Sequence, residues 1–343
     1  MSIKKEFALS PSRIMSYVKC SYVYYMENTL MLDSGKNFGN MRGSVLHDAC
    51  ELLIKEKYKN RVQKIIDSGS ISSDSALIRY LKIKGYQEGL RDEYDHKGNH
   101  NFEMICDMLY VVLSNDFYCE GWDIDYDNLE VKFTLRSEDP EYVIRGLIDK
   151  PARRDGVYKI LDYKSSQSKK SKKDLEMEIQ ALCYILYCIR GLKAKDATVD
   201  FVFARFPDDP IDRIENISKK ELQGFEHYLS DLYSHLKNFD KSRAAENLAA
   251  DQGYIKDGGF EGKVMCGYAQ YEGHSYPETH KDKDKRGKPY YCCPYKFSFT
   301  YYSQRDIDGN IIKSSKKLEN LEEGGKYYIT EEYHEGCPAF KSV

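Results

Sequence analysis

A mixed α/β fold is what this sequence predicts, and changes in apolar periodicity along the chain carry the prediction. Between residues 129 and 205 apolar residues follow strand patterns, interrupted once by a helix, so the order reads β-β-β-α-β. Ahead of this lies a series of helix-period segments. Behind a last helix near residues 218–236 the texture changes to glycine, tyrosine and charge. The expected organisation is a core over residues 1–245, with N-terminal helices and a mixed central sheet flanked by helices. A cysteine-containing accessory region would fill residues 246–343.

Taken in order, Ser10 can cap a first helix and Pro11 fits its first turn, where no backbone donor is missed. A glycine-bearing loop from Ser34 to Gly43 leads into a second helix, on which Val45, Leu46, Ala49, Leu52 and Leu53 recur at helical spacing. Two more helices fall between about residues 72 and 120. Leu129, Val131, Phe133 and Leu135 then alternate with polar residues as a half-buried strand does. Tyr142 to Lys150 and Val157 to Lys164 read as two further strands, joined by the charged turn Arg153 to Gly156. The second of these is apolar on both faces, which places it centrally. Asp174 can cap a helix running to about Arg190, Val199 to Arg205 is another strand, and the stretch from Lys281 to Lys288 is an exposed charged loop.

Composition narrows the function classes. The net charge is −3, so the chain is no polycation and a nucleic acid would have to be held by local basic patches. No apolar run is long enough to cross a bilayer, which argues against a membrane partner. The N-terminus lacks the apolar core of a signal peptide, which makes the cytoplasm the expected compartment. In a reducing compartment the ten cysteines serve as buried apolar groups or metal ligands rather than as a disulfide framework. Thirty tyrosines accompany a single tryptophan; most fit half-buried positions, and some can stack on bases.

The chemistry concentrates at Asp149, Asp162 and Lys164. Side chains on a strand repeat every second residue, so Asp162 and Lys164 share one face, and Asp149 at the end of the neighbouring strand can meet them. Two carboxylates are hard oxygen ligands of the kind that hold Mg²⁺ or Mn²⁺ beside a phosphate. A nearby lysine can steady charge developing on phosphate oxygens. An Asp-x-Lys triplet alone is common on ordinary surface hairpins, so its company matters. Gln180 and Tyr184 stand four residues apart on the next helix, and His47 and Glu51 stand in the same relation on an earlier one.

In this order the motifs resemble those of the RecB-type branch of the PD-(D/E)XK nuclease superfamily, which includes phage and CRISPR-associated exonucleases. The matching pieces are Leu9-Ser-Pro-Ser-Arg-Ile14, Gly43-Ser-Val-Leu-His47, Glu130-Val-Lys-Phe133, Gly146-Leu-Ile-Asp149, Asp162-Tyr-Lys164 and Gln180-Ala-Leu-Cys-Tyr184. The resemblance implies a restriction-endonuclease-like core and a metal-dependent DNA nuclease. His47, Asp149, Asp162 and the backbone carbonyl of Tyr163 would bind Mg²⁺ or Mn²⁺. Lys164 would position the attacking water and stabilise the phosphate, while Gln180 and Tyr184 orient the strand or the catalytic groups. Glu130 and Glu51 would be supporting residues.

Many such relatives join one cysteine near the first helix to three near the C-terminus in a 4Fe–4S cluster. The resemblance puts Cys20, Cys266, Cys293 and Cys337 in that role, with Cys292 as an alternative to its neighbour. The compact C-terminal spacing of the family is absent here. Zn²⁺ is an alternative, since His274, His280 and His334 also lie in the tail, and a metal-free tail is a third. Cys50, Cys106, Cys119, Cys183 and Cys188 read as packing residues. DNA, single-stranded or with free ends, is the implied partner, and helicase or recombination proteins are further candidates. Lys169, Lys170, Lys172 and Lys173 directly after the catalytic strand, with Arg145, are candidates for its backbone, although a charge run is usually a solvated loop. An exonuclease in recombination, repair or replication is the leading expectation; a structure-specific endonuclease and a non-catalytic DNA-binding module are the alternatives.

Overall fold

The structure is a computed structural model, described here for residues 6–32, 37–91, 93–95, 98–124, 130–166, 168–169, 174–251, 266 and 293–340. Six helices come first: α1 (Pro11–Lys19), α2 (Ser21–Tyr24), α3 (Phe38–Leu53), α4 (Lys59–Ser68), α5 (Ser75–Gln87) and α6 (Asn101–Leu113). Strands β1 (Asp123–Ile124), β2 (Val131–Glu138), β3 (Glu141–Ile148), β4 (Lys150–Arg154) and β5 (Val157–Lys164) follow. Helix α7 (Leu175–Leu186), a π-turn (Tyr187–Gly191), β6 (Asp196–Phe203), β7 (Ile211–Ile214) and α8 (Lys219–Leu236) come next, and β8 (Phe299–Asp306), β9 (Ile311–Ser315) and β10 (Tyr327–His334) close the series. Two compact units result: Met1–Pro11 with Lys36–Tyr233, and Ser12–Gly35 with Ser234–Val343.

The first unit is built on a mixed five-stranded sheet in the order β1-β4-β5-β6-β7. Strands β5 and β6 are parallel, and the other pairs are antiparallel. As its two apolar faces predict, β5 is the middle strand. Leu161 and Tyr163 join Ala152, Val202 and the buried faces of α3, α5 and α6 in one core on one side. On the other side Asp162 meets Gln180 of α7.

The expected strand from Tyr142 to Lys150 is in fact two strands, broken at Asp149. Residues Glu141–Ile148 pair with Val131–Glu138 in a separate two-stranded sheet, whereas Lys150–Arg154 pair with β5. Pro151 has no N–H to give a ladder, and it lies beyond the two residues of β4 that β1 pairs with. The hairpin to β5 closes on Asp155 and Gly156, at φ 52° and 84°, the left-handed pair that a tight two-residue turn requires.

Helix α3 starts earlier than its periodicity suggests, inside the expected loop. Asn37 caps it by accepting the N–H of Asn40 at 2.9 Å. Gly43 then lies within the helix because it must be bare: a Cβ there would stand 2.8 Å from Ser165 Oγ, just past the end of β5. At the other end of the core, Ser218 and Glu221 form a reciprocal capping box at the start of α8. Helix α4 and strands β1 and β7 were not anticipated, being short and weakly patterned.

In the second unit β10, β8 and β9 form an antiparallel sheet in that order. Met26, Leu30, Leu32, Tyr295 and Tyr301 make one small core, and Cys20, Leu248, Ala249 and Cys266 make another. The charged loop from Lys281 to Lys288 lies outside the described residues, as do Cys292, His274 and His280.

Candidate active site

The break between β3 and β4 does the positioning. Lys150 pairs with Leu161 in register, so Asp149 arrives beside Asp162. One oxygen of Asp149, Oδ2, accepts the N–H of Tyr163 at 3.0 Å. The same oxygen lies 3.4 Å from Nδ1 of His47, whose Nε2 is 3.0 Å from the carbonyl oxygen of Tyr163. A carbonyl can only accept, so Nε2 carries a proton while Nδ1 faces a carboxylate. Burial opposes a charge on this ring, but Asp149 and Asp162 outweigh it and push the imidazole up to about 9.

Asp162 is 3% exposed, and burial raises its carboxyl while the charge of Lys164 pulls the other way. Lys164 Nζ is 2.6 Å from Asp162 Oδ2 and also donates to Gln180 Oε1 at 2.6 Å. Gln180 turns its Nε2 to Asp162 Oδ1 at 2.9 Å and to the hydroxyl of Tyr184 at 2.7 Å. The neighbouring charges fix this amide: its oxygen faces the ammonium and its nitrogen the carboxylate. Tyr184 in turn reaches the carbonyl of Leu147 at 2.8 Å and Asp162 Oδ1 at 3.2 Å. Burial keeps its phenol protonated.

A pocket beside these groups is lined by His47, Glu51, Glu130, Asp149, Lys150 and Tyr163, among others. Burial, then the charges of Glu51 and Asp149, raise the Glu130 carboxyl. A hollow of about 860 Å³ beside β1 and β4 shares no residue with this constellation. Its size is no guide to the chemistry, which needs convergent polar groups rather than volume.

The donors are neighbours, yet among the described residues no three His, Cys, Asp or Glu side chains surround a point where an ion would sit. At Asp162 the reason is visible: the Lys164 ammonium stands against Oδ2, which is buried and receives no hydrogen bond of good geometry. That oxygen suits a cation. With Asp149 and the Tyr163 carbonyl it makes a hard-oxygen set of the type Mg²⁺ and Mn²⁺ prefer.

Other expected site residues are engaged elsewhere. Arg145 pairs with Glu6 at 3.1 Å, and Lys169 with Asp209 at 2.5 Å and Asp212 at 3.2 Å. Lys170, Lys172 and Lys173 lie outside the described residues. In the second unit, Cys20 and Cys266 share a core, and the Cys293 N–H faces the Cys266 carbonyl at 3.4 Å. Burial first, then the charges of Cys266, Cys20 and Cys337, push the Cys293 thiol up to about 12. These four cysteines are therefore electrostatic neighbours. Both ring nitrogens of His334 are already placed, Nε2 at 2.9 Å from the Tyr295 carbonyl and Nδ1 at 3.4 Å from the Tyr22 hydroxyl.

Sequence pattern assigns no role to Lys150, 1% exposed, which lines this pocket and donates to the carbonyl of Phe117. Its only sequence signal is its place next to Asp149.

A mixed sheet flanked by helices, with two aspartates and a lysine at a strand break, defines a nuclease-type α/β protein. The family model of the PD-(D/E)XK nuclease superfamily matches residues 8–268, and the chain belongs to that superfamily. No curated protein matches it. Among solved structures, one titled "Crystal structure of SSO0001" is similar at 17% identity and a TM-score of 0.23, covering 33% of this chain. The match takes in 52% of that chain, so this one spans about half its length. Among the described residues no helix is long and apolar enough to cross a membrane.

Proposed function

We propose that the protein is a Mg²⁺- or Mn²⁺-dependent deoxyribonuclease of the RecB-like branch, acting as an exonuclease on DNA ends in recombination, repair or replication. The observation that carries this reading is the continuous network from Tyr184 through Gln180 to Lys164 and Asp162, beside His47 and Asp149. His47, Asp149, Asp162 and the Tyr163 carbonyl would hold the divalent ion. When bound it supplies Lewis-acid stabilisation of charge on the phosphoryl oxygens. Lys164, released from Asp162, would donate hydrogen bonds to the phosphate oxygens or orient the attacking water. Gln180 keeps the ammonium from swinging away, and Tyr184 keeps Gln180 in place. Such a relay holds an ammonium beside the Asp162 carboxylate, as phosphodiester hydrolysis requires.

The motif resemblance and the shared core of Cys20 and Cys266 support a 4Fe–4S group held by Cys20, Cys266, Cys293 and Cys337, although among the described residues these thiols do not surround a metal position. Four thiolates from distant segments are the donor set such a cluster takes, and a four-thiolate Zn²⁺ site is the competing occupant. Cys50, Cys106, Cys119, Cys183 and Cys188 are unbridged, as suits a cytoplasmic protein. A helicase or recombination protein is the expected partner in DNA processing.

The test is digestion of end-labelled single- and double-stranded DNA with Mg²⁺ or Mn²⁺, beside a covalently closed circle. Loss of linear DNA with the circle intact supports the exonuclease. Nicking of the circle would move the reading to an endonuclease, and no cleavage of any substrate would overturn it.

A further inference from the structure

We propose that Arg205 is a phosphate anchor for the DNA strand, set beside the cleavage site and serving substrate binding rather than the fold. This rests on the nuclease reading above and adds a residue to it.

Position is the first argument. Phe203 pairs with Lys164 across the parallel β5–β6 ladder, and the N–H of Ala204 continues that ladder to the Lys164 carbonyl at 2.9 Å. Arg205 therefore leaves the sheet two residues past the step that holds Lys164, at the same end as Asp162. Gly43 of α3 meets Ser165 at this end as well, which brings neighbouring Arg42 to the same place.

The second argument is the state of the guanidinium. Its Nη1 is buried and has no hydrogen-bond partner. A buried donor without a partner is costly, and a cation in that state more so. Arg42 adds repulsion, which with burial disfavours the Arg205 charge. Asp95 is the nearby carboxylate, but it is already taken by Arg42 at 3.1 Å and by the Asn99 N–H at 2.9 Å. Arg42 also has Asn101 as a partner, at 2.6 Å, so only Arg205 is left uncompensated in this pair.

Third, Arg205 borders open space. It lines a hollow of about 540 Å³ with Asn99, His100 and Tyr110. Glu103 and Asp107 stand exposed on the α6 side of the same hollow, yet among the described residues Arg205 pairs with neither. Five donors in a planar fork match phosphate oxygens, and an anion would satisfy the buried Nη1 that the protein leaves unmet. Stability alone would have favoured an apolar residue here. A retained, unpaired cation beside a phosphodiester site is best used by substrate.

A fluorescent single-stranded oligonucleotide should be titrated with full-length protein in EDTA over a salt series, so that cleavage plays no part. Arg205→Ala is expected to weaken binding on the order of tenfold and to lower the log–log salt slope by about 0.7, one phosphate on a single strand. Arg205→Lys should keep the slope. Thermal melting of Arg205→Ala should match or exceed wild type, because no internal partner is lost. Unchanged affinity and slope in Arg205→Ala would overturn the proposal, as would a clear fall in melting temperature without a change in slope. If wild type binds no DNA, the nuclease reading falls with it; if only the Arg205 variants are silent, that reading stands alone.

Discussion

Lys164 Nζ lies 2.6 Å from Oδ2 of Asp162, two residues earlier on the same strand and the same face. The pair keeps a buried carboxylate tolerable without substrate, and it places the ammonium where charge must later be met. Removing either group should abolish cleavage, and Lys164→Ala, which strands the buried Asp162 charge, should also lower the melting temperature. Asp162→Asn and Lys164→Ala are each expected to lose at least about 3 kcal/mol of transition-state stabilisation, a hundredfold or more in rate. Asp162→Asn should melt at or above the wild-type temperature, since it removes the cost of a buried charge. Normal cleavage by either variant would overturn the site assignment.

Tyr184→Phe removes a hydroxyl that contacts Leu147, Gln180 and Asp162. It leaves a part-buried carbonyl and an amide each short of a partner, so stability should fall by about 1 kcal/mol. Cleavage should fall mainly in kcat, because Gln180 then holds Lys164 less firmly. A variant that loses only stability would make Tyr184 a packing residue.

Asp74 provides a pH readout far from this chemistry. It caps α5 through the Leu77 N–H at 2.9 Å and pairs with Arg61, whose hydrogen bond holds its carboxyl below the usual range. A depressed folded value means the stabilisation is complete above the unfolded value near ~3.9 and is lost as pH falls through the folded one. Asp74→Ala should cost about 1–2 kcal/mol at neutral pH, mostly the cap, since the partly exposed ion pair adds at most about 1. Urea unfolding at pH 7 and pH 3 checks this, and the gap between variant and wild type should narrow at the lower pH. An equal gap at both would exclude the ion pair.

Gly146 lies opposite Phe133 in the β2–β3 pair, and a Cβ there would stand 2.3 Å from Phe133 Cε1. That ring is stacked on Tyr187 at 4.3 Å and has little room to retreat. Gly146→Ala should destabilise by about 1–3 kcal/mol. Phe133→Leu should recover part of the loss in a double-mutant cycle, whereas additive effects would place the strain elsewhere.

For the cysteines, protein purified without oxygen is expected to be brown, and Cys20→Ser to bleach it. Closing a loop from Cys20 to Cys266 restricts the unfolded chain by roughly 4–5 kcal/mol, by analogy with a long-loop disulfide, so a lower melting temperature should accompany the bleaching. Cys183→Ala should leave the colour unchanged. Colourless protein with stoichiometric zinc would reassign the four cysteines to Zn²⁺, and metal-free protein that melts normally would make Cys20 a core residue.

Much of β5, the strand that carries Asp162 and Lys164, was legible in the sequence, because its logic is local. Alternation puts Asp162 and Lys164 on one face, and a four-residue spacing puts Gln180 and Tyr184 on another; both follow from backbone geometry within a single element. The extent of α8 was legible for the same reason. The break at Asp149 was not, since an apolar strand pattern does not say which partner each half will pair with. Residues 141–148 and 150–154 have similar local preferences and differ only in the long-range ladder they join.

The second unit shows the same limit. The sequence by itself determined the α/β class, the main helices and strands of the first unit, and the superfamily that their motifs mark. The tertiary structure decided which cations are taken: Arg145 turned to Glu6 and Lys169 to Asp209, while Arg205, unremarkable in sequence, was left with a buried unpaired nitrogen. It also decided that Cys20 meets Cys266 across most of the chain, and that a region of glycine, tyrosine and charge closes into a three-stranded sheet. Periodicity is set by neighbours a few residues apart. Ion pairing, burial and strand partnership are settled between segments far apart in the chain, and only the folded molecule brings those together.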